Sequence, residues 1–285
     1  MRGRLVGPKK VLNGHAGPTT INVLVHDSGT GAWFWNLKQQ PAYDYATQLA
    51  EHGQTSLVLD RLGYGRSPLR NGNKTCVDAE VFMLHQVVQH LYSGIYDFTD
   101  GRNFVGTPHA AKIVVQGHGF GATLAQLEAA KYSDTAGLVL MAPSTTGATR
   151  LAARTLRAQS QACLTGTGFA PFGRTSRDYR SLLFRTAVGP VQRTATGHRN
   201  STPCGEVAGM AAAVLSARSS GKLDVPVLVL KAGGDARNGS GRVAVTSSRT
   251  VTRHTVRGAG SALPLEKSAG HTRQTVLRWL TSQRL

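Results

Sequence analysis

The sequence predicts an α/β fold: a doubly wound, mostly parallel sheet with helices on both faces and an inserted cap. Three observations predict it. Short runs rich in Val, Ile and Leu recur along the chain without the polar alternation of a one-sided sheet. Stretches with helical period separate these runs. Between 145 and 221 the rhythm breaks into an Arg-, Gly- and Ser-rich segment with scattered aromatics, among them Phe169, Phe172, Tyr179 and Phe184. Residues 1–285 are expected to form one domain, with 145–221 as a cap inserted within it.

The elements follow in chain order. Residues 20–26 (TINVLVH) read as a buried strand, 41–52 as a helix and 55–60 (TSLVLD) as the next strand. Residues 77–92 form an amphipathic helix whose apolar face carries Val81, Leu84, Val88 and Leu91. A strand at 113–116 leads into a helix at 122–131. Strands at 138–141 and 227–230 and a closing helix at 265–280 complete the pattern.

Composition narrows the function classes. Of 285 residues, 40% are apolar, enough for a substantial core. Lys and Arg number 33 against 15 acids, a net charge of +18. Arg is spread along the whole chain, and no nucleic-acid-binding motif accompanies it, so no specific nucleic-acid partner is expected. No apolar run reaches the length of a membrane span. The basic start Met1-Arg2-Gly3-Arg4 is not followed by an apolar signal-peptide region. A cytoplasmic location is expected, or a secreted one if a signal has been removed. No Cys/His cluster has metal-ligand spacing, and no cofactor motif is present, so neither metal nor cofactor is expected. Of the three cysteines, Cys163 and Cys204 flank one irregular stretch and could pair; three free thiols in a reducing compartment is the expectation.

In an open parallel sheet, ligands gather at the carboxyl ends of the strands. Five segments fall there: His26-Asp27-Ser28-Gly29 followed by Trp33-Phe34-Trp35; Asp60-Arg61-Leu62-Gly63-Tyr64-Gly65-Arg66-Ser67; Gln116-Gly117-His118-Gly119-Phe120-Gly121; Gly233-Gly234-Asp235; and Gly258-Ala259-Gly260-Ser261. In this order they resemble the α/β-hydrolase family over nearly the whole chain. The resemblance implies an oxyanion loop at 26–29, a nucleophile elbow at 117–121, an acid loop at Asp235 and a histidine loop at 258–261. The family's elbow is G-x-S-x-G, and here the serine position is Gly119. The histidine position is Ser261; of the triad only Asp235 matches. Asp27 stands where the family usually has glycine.

Acyl transfer needs a nucleophile, a base and an acid that orients the base. With the first two replaced, a non-hydrolytic, cofactor-independent enzyme is expected: a cyclase, lyase or isomerase, including a pericyclic or addition/elimination step, on an apolar, natural-product-like small molecule. The alternatives are a pseudohydrolase that binds a small ligand or partner, and a hydrolase with a displaced nucleophile. The backbone N–H groups of Ser28 and Phe120 would form an oxyanion-type site. Asp27, Ser28, Asp235 and Ser261 are the candidate catalytic residues. The substrate pocket is expected over a floor at Gly119, open because glycine leaves side-chain space, with His26, Trp33, His118, Phe120, Phe169 and Phe172 around it. The turn should hold Gly119 at positive φ. A closed apolar cavity would favour catalysis, and a filled one would favour binding.

Overall fold

The computed structural model describes residues 1–100, 106–145, 147–166, 168–239, 243, 245–247 and 249–285, with backbone alone at Lys222. Seven strands form the main sheet: β1 (Arg2–Val6), β2 (Thr19–Val25), β3 (Thr55–Asp60), β4 (Ala110–His118), β5 (Gly137–Met141), β6 (Val227–Ala232) and β7 (Val251–Val256). Their order across the sheet is β1-β3-β2-β4-β5-β6-β7. β1 runs antiparallel to β3, and all other pairs are parallel. The helices that bear on the site are α1 (Tyr45–Ala50), α2 (Val77–Ser93), α3 (Phe120–Tyr132), α4 (Arg150–Thr165), α5 (Ser176–Leu183), α6 (Gly189–Gly197), α7 (Cys204–Ser219) and α8 (Ala269–Ser282).

The continuous apolar runs are explained by burial on both faces. Ile21, Val23, Ile113, Val115, Leu138 and Leu140 pack on one face under α2 and α3, where they meet Val81, Leu84, Val88, Leu91 and Leu124. Leu24, Val114, Val139 and Met141 point the other way, against Tyr45 and Leu49 of α1 and Val276, Trp279 and Leu280 of α8. Each fully buried Val or Leu contributes about 1.5–3 kcal/mol, so this alternation fixes the register of the central strands.

Two predicted helices are shorter than their apolar patterns. The 41–52 stretch divides into a single turn (Pro41–Tyr43) and α1, because Asp44 leaves the helical path to cap α1, accepting from Thr47 N at 3.2 Å. The closing helix starts at Ala269 rather than 265. Glu266 is drawn out of it to accept from the backbone N–H groups of Arg185 (2.7 Å), Thr186 (2.6 Å) and Gly260 (3.1 Å). Two edge strands, β1 and β7, were not expected. Their sequences, RGRLV and VTRHTV, mix cations with apolar residues because an edge position is half exposed.

Helices α4 to α7 and a short antiparallel pair, Phe169–Pro171 with Ser201–Pro203, lie between β5 and β6, where the cap was expected. Thr146 and Thr167 of that segment lie outside the described residues. The expectation of three free thiols is corrected: Cys163 of α4 and Cys204 at the start of α7 form a disulfide, and only Cys76 is free. Three cysteines are too few for a disulfide scaffold but not for a single bridge, and the fold brings these two residues together. Among the described residues, no helix is long and apolar enough to cross a membrane.

Candidate functional site

The strand-to-helix turn between β4 and α3 is built as the motif requires. Gly119 has φ 56° and ψ −118°, a conformation that costs a residue with a side chain about 1–3 kcal/mol. Gly121 lets the helix start approach β2 closely: a Cβ there would overlap the carbonyl oxygen of Val25. The turn therefore aims the first N–H groups of α3 at the loop that follows β2.

What occupies that space corrects the expectation of an open floor. A Cβ at Gly119 would overlap the Asp27 carboxylate. Asp27, 2% exposed, lies across the turn. Its Oδ1 accepts from Ser28 N at 2.8 Å and from Phe120 N at 2.7 Å. These are the two backbone donors expected to polarise a substrate oxygen. Its Oδ2 pairs with Arg237 Nη1. Burial pushes the Asp27 carboxyl up, but the Arg237 guanidinium, aided by the Phe120 N–H, outweighs it and holds the group below the usual carboxylate range. The positive end of α3 acts in the same direction.

Arg237 also faces Asp235, with Nε to Oδ1 at 3.5 Å. Burial works against its charge, and the two carboxylates together raise its pKa above the ordinary value. Asp235 is further held by Arg237 N (2.8 Å) and Asn238 Nδ2 (2.8 Å). The acid loop thus positions an arginine between two carboxylates rather than orienting a histidine.

Ser261 and His118 meet on the other side of the turn, both fully buried. His118 Nε2 lies 3.0 Å from the Ser261 carbonyl oxygen and 3.4 Å from its hydroxyl. The carbonyl can only accept, so Nε2 carries the proton and is not free to act as a base toward the hydroxyl. Burial pulls the imidazole down to about 4, against the attraction of Asp27. Phe34 stacks on its ring at 4.3 Å.

The neighbouring residues are engaged in the frame. His26 Nδ1 donates to Asp27 O at 2.8 Å, and its Nε2 accepts from Arg61 N at 3.1 Å, joining the loops after β2 and β3. Burial, with Arg61 adding to it, holds His26 well below its usual range. The Ser28 hydroxyl donates to Glu206 of α7. Glu206 also accepts from Arg61 Nη2 at 2.9 Å and Tyr64 OH at 2.8 Å, and Arg61 Nη1 reaches Glu80 at 2.6 Å. Sequence reasoning missed Arg237, Glu206 and Glu80. One signal was present: Glu206 is one of only two acids in the Arg-rich 145–221 stretch, set in the apolar run of α7.

The three predicted aromatic walls separate. Phe172 is buried and packs on the oxyanion-type loop at Gly29. Phe169 sits in the short strand pair, opposite Pro203. Trp33 stands in a different place, a groove of about 450 Å³ shared with Arg4, Lys38, Asp60, Arg66, His198 and Arg199. Its ring stacks on His198 at 6.0 Å, and its indole N–H is buried without a partner among the described residues. Neither Asp27 nor Gly119 lines that groove.

A search of curated proteins found no sequence match. Among solved structures, the chain is similar to a thermophilic esterase from Thermogutta terrifontis, at 17% identity and TM-score 0.66 over 100% of this chain and 94% of that one. It is also similar to a monoacylglycerol lipase from Paleococcus ferrophilus, at 16% identity and TM-score 0.69 over 99% and 100%. A monoglyceride lipase from Saccharomyces cerevisiae matches at 12% identity and TM-score 0.68 over 99% and 91%. At such identities the likeness shows the fold alone. The family model matches residues 23–277, nearly the whole sheet and everything inserted in it. With an α/β-hydrolase sheet order, a glycine turn between β4 and α3 and this match, the chain belongs to the alpha/beta hydrolase family.

Proposed function

We propose that the chain is a catalytically silent member of its family, with the Ser and His of the triad replaced by Gly119 and Ser261, and that it acts by binding a small molecule. One observation carries this reading. The Asp27 carboxylate accepts the Ser28 and Phe120 N–H groups and is neutralised by Arg237. The protein itself supplies, permanently, the anion that an oxyanion site stabilises only transiently. The expected cyclase or lyase depended on side-chain space at Gly119, and Asp27 fills that space. A filled site favours binding.

The groove at Trp33 is the accessible volume this reading assigns to a ligand. Arg4, Lys38 and Arg66 line it, so a small molecule bearing negative charge and a flat apolar part fits its chemistry. The esterase and lipase neighbours support a small-molecule ligand in general terms. The Cys163–Cys204 disulfide favours an oxidising compartment over the cytoplasm.

A displaced-nucleophile reading has one observation in its favour, the Ser28 hydroxyl donating to the Glu206 carboxylate. The Glu206 carboxylate is already engaged there, since Arg61 and Tyr64 share its other oxygen. One experiment separates the two readings: incubation with p-nitrophenyl esters and a fluorophosphonate probe, followed by peptide mapping. Silence is expected in both assays. Turnover, or stoichiometric labelling of Ser28 or any other serine, would overturn the binding reading.

A further inference from the structure

Away from the carboxyl edge, α2 and α3 bring together three groups that the sequence spaces far apart. His85 lies midway along α2, Glu128 in the last turns of α3, and Asp134 just beyond that helix. His85 Nδ1 is 2.7 Å from Asp134 Oδ2 and 4.0 Å from Glu128 Oε1. One ligand atom from each of the three residues lies within 4.8 Å of the others.

The electrostatics of this cluster are unbalanced. Glu128 is 0% exposed, and neither of its carboxylate oxygens has a hydrogen-bond partner among the described residues. The buried Asp134 Oδ1 also lacks one, while Oδ2 receives Gln89 Nε2 at 2.6 Å. No Lys or Arg pairs with either carboxylate among the described residues, although the chain has 33 of them. A buried carboxylate without donors is costly, and either a proton or a cation relieves it. The His85 ring is fixed in place by stacking on Tyr132 at 3.8 Å.

We infer that His85, Glu128 and Asp134 form a binding site for a single divalent transition cation, Zn²⁺ or Mn²⁺, which ties α2 to the end of α3. The imidazole suits borderline Zn²⁺ and the two carboxylates suit either ion, and the remaining positions go to water. Ligand atoms held at about 2.0–2.2 Å from one ion lie about 3.3–3.6 Å apart at tetrahedral angles and at most about 4.4 Å apart when trans, so the widest pair closes by about 0.4–1.5 Å on binding. His85 and Asp134 keep a solvent path, with side chains 18% and 16% exposed. The cation displaces the proton between His85 and Asp134.

The test uses untagged full-length protein, stripped with chelator and titrated with ZnCl₂ by calorimetry and thermal melting. A surface pair, His254 and His271, has its Nε2 atoms 3.0 Å apart and could hold zinc weakly. All titrations are therefore made in a His271→Ala background. One molar equivalent should bind and raise the melting temperature. Glu128→Gln and His85→Phe, both melting cooperatively without metal, should each weaken binding by about tenfold or more. Absence of a zinc-dependent shift in the parent would overturn the site in favour of a shared proton. Zinc binding that survives both substitutions would overturn the assignment of these ligands.

Discussion

Helix α3 has a buried carboxylate at each end, and the two are treated oppositely. At its start, Asp27 receives two backbone N–H groups, faces an arginine and lies at the positive end of the helix dipole. Near its last turn, Glu128 has no donor, stands beside a second carboxylate, and lies at the negative end. In the first arrangement the protein itself supplies the carboxylate's donors and its counter-charge. The second is incomplete and attracts a counter-charge. Burial alone therefore does not mark a functional acid; the state of its partners does.

The comparison can be broken first at Arg237. Arg237→Met leaves Asp27 and Asp235 buried without a cation, and a loss of about 3–5 kcal/mol in urea unfolding is expected. A loss below about 1 kcal/mol would mean that the Asp27 end is not held by this pair. Acid probes the same end next. The His118 pKa is lowered from the ordinary 6.5 to about 4, so its contribution is complete above the unfolded value and is lost as pH falls from 6.5 to about 4. That shift corresponds to about 3 kcal/mol. His26 shifts in the same direction and adds to it. Stability measured across this window in His118→Asn should fall less steeply than in the parent.

Gly119→Ser should cost about 1–3 kcal/mol in backbone strain, and more for the overlap with Asp27. In an Asp27→Gly background the overlap component should vanish, a coupling of about 1 kcal/mol or more in a double-mutant cycle. Additive effects would show that the carboxylate does not fill the turn. The smallest change is expected at the far end. In chelator, Glu128→Gln removes one of two crowded carboxylates and should leave stability unchanged or raised by about 1 kcal/mol, as melting would show.

The sheet centre was legible because strands buried on both faces spell continuous Val/Ile/Leu runs, as in 138–141 and 227–230. Helix α2 was legible because its four apolar positions share one face. The strand β7 was not, since at an edge its Arg253 and His254 interrupt the pattern. At the site, the glycine turn and its positive φ followed from the motif. The Asp27–Arg237 pair did not: the partners are 210 residues apart, and ion pairing leaves no period in a sequence. The motif located Gly119 and Ser261 but not the carboxylate that lies against the turn. Glu128 and Asp134 escaped for the same reason, being matched to His85 only through the packing of α2 on α3.

The close fit of Asp27 against Gly119 also has a historical consequence. A chain carrying both residues cannot take a serine at 119 without losing stability, because the new side chain meets the carboxylate. Nor can it first discard Asp27 without stranding Arg237 between a missing partner and Asp235. Each residue raises the barrier to reversing the other. Once both are in place, a serine elbow is reached only through less stable intermediates, and the pair acts as a ratchet.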